Sequence, residues 1–324
     1  MTRTLGHRPA APPAAVPRPG RLPLTTLAIG FGLAGLAEAW TKAAPALRLP
    51  HVVPQAFWIL AVIAWVWLLA AHVVRGKRSG QPLRDQLRHP AQGPMAALAP
   101  VTGMLLGGTL SGFSPAVGRS LFFLALAASA LLAAWLFASW FEGRLDLAAM
   151  HPGYLLPTVA PGLVGADVAA ALGYPGLGWA LFGVGTFFAF VMTAIVVLRL
   201  VFHTPLPDAL LPTTAILLAP PGVAGLAWFS LHGHTADPVA QAVVGVGVVL
   251  LLVQAAMLPR YRRLSFSLGF WSFTFPLAAA VALAEEWLEI TEPAGWRVLT
   301  GVLLTAVTAF IAVIGLRSAR LGRA

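Results

Sequence analysis

Runs of about twenty apolar residues, close to the length an α-helix needs to cross a bilayer core, recur from Pro23 almost to the C-terminus. Charges, glycines and prolines punctuate them. The pattern predicts ten membrane-spanning helices near 23–41, 53–75, 94–111, 117–141, 153–172, 177–201, 209–231, 238–258, 264–287 and 295–317. The fifth is the least regular, since three prolines interrupt HPGYLLPTVAPGLVGAD. Transmembrane barrel strands would need short alternating segments, and none are found. The expected fold is therefore all-α and integral to a membrane, with a transmembrane domain over 22–318. Residues 1–21 lack the apolar core of a signal peptide and read as a disordered cytoplasmic tail; residues 319–324 read as a short basic one.

Proline falls in alternate spans. Pro100 interrupts the third, Pro157 and Pro161 the fifth, Pro220 and Pro221 the seventh, Pro276 the ninth. The first has Gly30, Gly32 and Gly35 at the matching depth, and the even spans have no interior proline. Proline removes a backbone donor and crowds the preceding turn, and carbonyls freed this way cannot face lipid. The alternation thus predicts five helical hairpins in a quasi-five-fold arrangement. Odd helices, kinked at Gly30, Pro100, Pro157, Pro161, Pro220 and Pro276, would line a central pore, and even helices would face lipid. Each break is expected to expose amides near mid-membrane that favour anions weakly. The plainer alternative is that the prolines only shape packing.

Composition agrees with the pattern. The 324 residues are 58% hydrophobic and 10% charged, with mean hydropathy +0.82. Soluble domains carry about a quarter charged residues. No cysteine is present, which excludes disulfides, thiolate metal sites and a cysteine nucleophile. The net charge of +10 comes mostly from topology. Of 21 Lys and Arg, seventeen lie in the tails and the loops after even spans; Lys42, Arg48, Arg119 and Arg297 lie opposite. By the positive-inside rule both termini are cytoplasmic, and no nucleic-acid partner is needed to explain the charge.

HPGYLLPTVAPGLVGAD (151–167), GLGWALFGVGTFFAFVMTAIVVLRL (176–200), TTAILLAPPGVAGLAWFSL (213–231) and LGFWSFTFPLAA (268–279) resemble, in order, the TehA family. That family includes bacterial tellurite-resistance proteins, plant slow anion channels, and fungal malic acid and sulfite transporters. The resemblance implies ten helices in five hairpins around a pore, homotrimers with one pore per subunit, and a plasma or bacterial inner membrane location. It also implies a pore plug just before the kink of the ninth helix, which is Phe275 here. Two departures stand out: Gly30 replaces an expected proline, and Glu38 and Asp167 replace expected neutral residues. Both acids lie about 22 Å along their helices at 1.5 Å per residue.

Glu38 and Asp167 could shape an outer vestibule or bind a coupling proton, or simply sit hydrated at the interface. His151 precedes Pro152 at a helix start, suiting a cap or a proton sensor. His232 and His234 resemble half a metal site, with Asp237 the acid nearby. Asp85, Glu142, Asp146 and Asp208 are scattered singly, unlike the converging groups of a membrane enzyme. The sequence thus points to a gated channel or channel-like transporter for small anions, without cofactor, metal or enzymatic activity. The alternative is a proton-coupled C4-dicarboxylate carrier or an exporter of sulfite or tellurite.

Overall fold

The computed structural model describes residues 20–143 and 145–321. The expected tails lie mostly outside the described residues, at 1–19 and 322–324. The described chain is helical throughout, with no strand among those residues. Eleven α-helices occur in chain order: α1 (Ala28–Leu47), α2 (Val52–Ser79), α3 (Leu83–Arg88), α4 (Leu98–Ser111), α5 (Pro115–Phe141), α6 (Val159–Ala171), α7 (Pro175–Phe202), α8 (Ala219–His232), α9 (Pro238–Tyr261), α10 (Thr274–Thr291) and α11 (Trp296–Leu321). Among the described residues, nine helical stretches are long and apolar enough to cross a membrane, and Val159–Ala171 is a shorter apolar helix.

The long helices pair as hairpins: α1 with α2, α4 with α5, α6 with α7, α8 with α9, α10 with α11. The first member of each pair closes a ring, α1 on α4, α4 on α6, α6 on α8, α8 on α10 and α10 on α1. In four inner helices 56–67% of the most apolar window is buried, against 0–28% in the outer five. Two layers follow, an inner ring and an outer set exposing Leu131, Phe190, Val249 and Val298. Proline at the first position sharpens the starts of α5, α7 and α9, where its missing N–H costs nothing. Asp237 adds a cap to α9, its carboxylate accepting from the Ala240 amide at 2.8 Å.

Every inner helix begins as a tighter 3-10 turn: Leu24–Leu27, Gly93–Ala97, Pro152–Leu155, Leu211–Leu218 and Leu268–Phe273. These five segments contact one another in a second closed ring, so they share one end of the bundle. Arg21 reaches Gln81 and Gln86 at that end; it is called the tail end below.

The expected kink positions fall at or near the junctions of 3-10 and α segments. Gly30, Pro100, Pro161, Pro221 and Pro276 are each the third residue of an α segment. They sit in the first α turn, just past the 3-10 segment, so Pro100 and Pro276 lie well inside the continuous spans Gly93–Ser111 and Leu268–Thr291. Pro221 is therefore the counterpart of Pro276, and Pro220 the counterpart of Phe275. The amides at the junctions are also occupied: those of Ala28, Ala219 and Thr274 bond to Thr25, Ile216 and Trp271 carbonyls. One amide at each of these three junctions is thus bonded within the helix. What remains is alignment, with five helix N-termini pointing the same way.

Close hairpin packing rests on small residues. A Cβ at Gly118 would run into the Ser111 backbone and come within 2.6 Å of the Gly107 carbonyl. Because that obstacle is backbone, Gly118→Ala is expected to cost at least about 1–3 kcal/mol, the usual range for overpacking. A lower melting temperature in detergent, with early loss of the α4–α5 pair in hydrogen exchange, is the check.

Candidate functional site

The 3-10-to-α junctions surround a small axial chamber of about 40 Å³. All five repeats line it: Ala28 and Phe31, Leu98, Val159 and Leu163, Ala219 and Val223, then Trp271 and Phe275. It is apolar and holds at most a water or two. A second chamber of about 20 Å³ lies beyond it towards the far end. Gly35 and Glu38, Leu105, Val164 and Asp167, Val223 and Leu226, and Phe275 and Ala279 line this one. Phe275, Val164 and Val223 border both chambers, so the wall between them is built from these three side chains.

Phe275 is the second residue of α10. Six residues of 3-10 helix at about 2 Å each put it roughly 12 Å from the start of its inner segment. Its counterparts, one residue before the register position in the other repeats, are Ile29, Ala99, Ala160 and Pro220. Phe275 is the one aromatic of the five; Ala160 and Pro220 also line the first chamber, and Ile29 and Ala99 do not. Its ring stacks on Phe31, centroids 3.6 Å apart at 15°. Gly35 lies behind the ring, where an added Cβ would come 2.8 Å from Phe275 Cδ2. Gly35→Ala must therefore push the ring off its seat, and is expected to raise basal anion flux in vesicles, though less than removing the ring does.

Charge collects at the far end. Glu286 is buried, with Lys42 Nζ and His234 Nε2 each at 2.8 Å. Lys42 also lies 3.9 Å from Glu38, one helical turn away. The Ser230 hydroxyl donates to Asp167, and Glu285 is buried on the same turn of α10 as Glu286. Acid side chains on α1 and α10 thus meet one ammonium group, while Asp167 on α6 is held by Ser230 and lines the second chamber with Glu38.

The residues singled out in the sequence take different places. Phe275, Pro220 and Pro276 line the first chamber, and Glu38 and Asp167 the second. Gly30 faces α2, where a Cβ would lie 3.4 Å from Trp65. Pro157 and Pro161 turn towards a lateral cavity between α5, α6 and α7, and Pro100 borders neither chamber. His151 caps the 3-10 turn before α6, its Nδ1 accepting from the Gly153 amide at 3.2 Å. Burial drives its pKa down to about 4, so it stays neutral as a cap should. The two outer histidines diverge, His232 to Asp237 and His234 to Glu286. Phe31, Lys42 and Glu286 were not singled out for the site; the Glu38–Lys42 spacing of one turn was the available signal for Lys42, and nothing local pointed to the other two.

Ring and hairpins define an all-helical membrane protein with two small chambers on its axis. A family model described as SLAC1, voltage-dependent anion channel, matches residues 21–319. The chain belongs to this family of anion channels and transporters, whose members are not enzymes. Among its relatives is the tellurite resistance protein TehA homolog of Haemophilus influenzae, 26% identical over 93% of this chain and 90% of that protein. The guard cell S-type anion channel SLAC1 of Arabidopsis thaliana is 23% identical over 91% of this chain and 54% of its own length. The S-type anion channel SLAH2 of the same plant is 22% identical over 91% and 58%. The chain thus spans just over half the length of these plant channels.

Proposed function

We propose that this chain is a gated anion channel, or channel-like transporter, in which Phe275 occludes the passage. The observation that carries the reading is the position of that ring between two chambers to which all five inner helices contribute. An apolar constriction of this kind excludes hydrated ions by size and dewetting. Aligned helix N-termini favour negative solutes, and the weakness of that attraction lets ions leave. The arginine distribution supports cytoplasmic termini, so the tail end is the cytoplasmic mouth. The family resemblance supports a plasma-membrane location and a homotrimer with one passage per subunit.

The test is anion flux into liposomes holding the purified protein. Chloride or nitrate is expected to move down its own gradient at the same rate with or without a pH difference. A strict need for a pH gradient would replace the channel with the second reading, a proton-coupled dicarboxylate carrier or oxyanion exporter. One observation favours that reading: Glu38 and Asp167 both line the second chamber. In that case Glu38→Gln with Asp167→Asn should abolish pH-driven uptake.

A further inference from the structure

A groove of about 410 Å³ lies at the tail end, between the C-terminus of α9 and the loop that joins α7 to the inner segment Leu211–Leu218. Its volume falls within the range of small-molecule sites, about 300–1,000 Å³. Asp208 lines it from the loop, and Arg260 and Arg263 from the end of α9 and the turn that follows. Ala256, Pro259 and Leu264 complete the wall. The groove therefore presents both signs of charge beside an apolar base. Arg262, the remaining arginine of that run, does not line it; topology asks only for positive charge at this end, not for this facing.

Two observations give the groove a ligand of definite chemistry. The first is that its charges do not satisfy one another. Among the described residues the ion pairs are made by Lys42, His232 and His234, so neither Arg260 nor Arg263 has an acid partner and Asp208 has no basic one. An acid and two guanidinium groups that share a groove without pairing leave space for a group that bridges them. The second is the surface onto which the groove opens. The most apolar window of α9 has no buried residue, so this helix lies against lipid along its length. Val249, Val253, Ala256, Arg260 and Arg263 follow one another at steps of three and four residues, which places them in one stripe. Val249 and Val253 are exposed, as is Ala256. An exposed apolar stripe that ends in a groove of mixed charge matches a lipid, with acyl chains on the stripe and a headgroup in the groove.

We infer that this groove binds the headgroup of a phospholipid carrying both a phosphodiester and a primary ammonium group, as phosphatidylethanolamine does. Arg260 and Arg263 donate to the phosphate oxygens, a geometry the guanidinium fork suits. Asp208 accepts from the ammonium group. A trimethylammonium headgroup has no N–H to give that carboxylate, and an anionic headgroup brings no cation to it, so Asp208 sets the preference. Bound in this way, the lipid ties α9 to the loop that leads into Leu211–Leu218. The site stands apart from the channel reading.

The test is native mass spectrometry of the purified full-length protein in detergent with equal amounts of phosphatidylethanolamine, phosphatidylcholine and phosphatidylglycerol. The wild type is expected to retain phosphatidylethanolamine about threefold over either competitor, as one exposed ion pair allows. Asp208→Asn should abolish that preference, whereas Arg260→Gln with Arg263→Gln should lower retention of all three lipids. The three side chains are exposed, so these variants are expected to fold, with unchanged melting temperatures as the check. Equal retention of the three lipids by the wild type, or a preference that survives Asp208→Asn, would overturn the site. Displacement of the lipid by equimolar glycerophosphoethanolamine would assign the groove to a soluble phosphoester and overturn the lipid. Rapid disulfide formation between two Pro259→Cys chains would assign it to a second copy, with the same consequence. None of these readouts depends on anion movement, so the site can fail while the channel stands, and the reverse.

Discussion

Phe275→Ala is expected to raise anion current at a fixed voltage about tenfold or more, the equivalent of removing at least ~1.4 kcal/mol from the barrier. The ring borders both chambers, and of its counterparts Ala160 and Pro220 line the first. Removing it joins two spaces of about 40 and 20 Å³ and adds the volume of the ring itself. The change also removes a buried aromatic that stacks on Phe31, a loss that typically costs about 3–5 kcal/mol of stability. Current must therefore be scaled to protein at the membrane, and Phe275→Leu serves as the partner measurement. Leucine keeps apolar bulk on the axis and should give an intermediate current. Equal currents for wild type and Phe275→Ala, with protein confirmed at the membrane, would remove the ring from the gating account. Phe31→Ala separates the two members of the stack: if Phe31 only holds the ring in place, its loss should raise current less than loss of Phe275.

Hydropathy made the helices legible because each must bury or dissolve a long apolar stretch, and that requirement is local. Expected spans at 94–111 and 117–141 became inner segment Gly93–Ser111 and helix Pro115–Phe141. Alternation of proline also separated inner from outer helices correctly, since only a protein-packed helix tolerates the lost donor. The type of helix along each inner span was less legible. A proline says that an amide is missing, but a 3-10 turn running into an α-helix tolerates it in the first α turn, and composition does not distinguish the two helix types. Pro100 and Pro276 lie about as deep in Gly93–Ser111 and Leu268–Thr291 as expected; the 3-10 turn ahead of each is what composition did not show. Gly30 allows α2 to approach and does not border the axis, a facing the sequence did not indicate. The partners of the candidate site were harder still. Phe31 with Phe275, and Lys42 with Glu286, are joined only by the packing of α1 on α10 across more than 240 residues of chain.

That α1–α10 pairing carries the second large effect. Lys42→Met is expected to destabilise the protein by about 3 kcal/mol, the lower end of the range for breaking a buried ion pair. Glu286 is buried, and Lys42 approaches it at 2.8 Å while its own side chain is 22% exposed. Water at the lysine softens the loss; the carboxylate has no such relief. His234 remains at 2.8 Å, but it comes from a loop and holds Glu286 from the outer side only. The cost should show as a drop of several degrees in the melting temperature in detergent. Glu286→Gln on the Lys42→Met background removes the stranded charge and should restore most of the loss, a pairwise coupling readable in a double-mutant cycle. Transport follows the same logic. Without the ammonium group, Glu38 and Asp167 face the second chamber uncompensated, and repulsion at a narrow mouth slows anions. Lys42→Met should therefore lower flux per folded protein several-fold at low salt and by less at high salt, whereas the double variant should recover part of it. If Lys42→Met changed neither melting temperature nor salt dependence, the pair would be a surface contact with no hold on the passage.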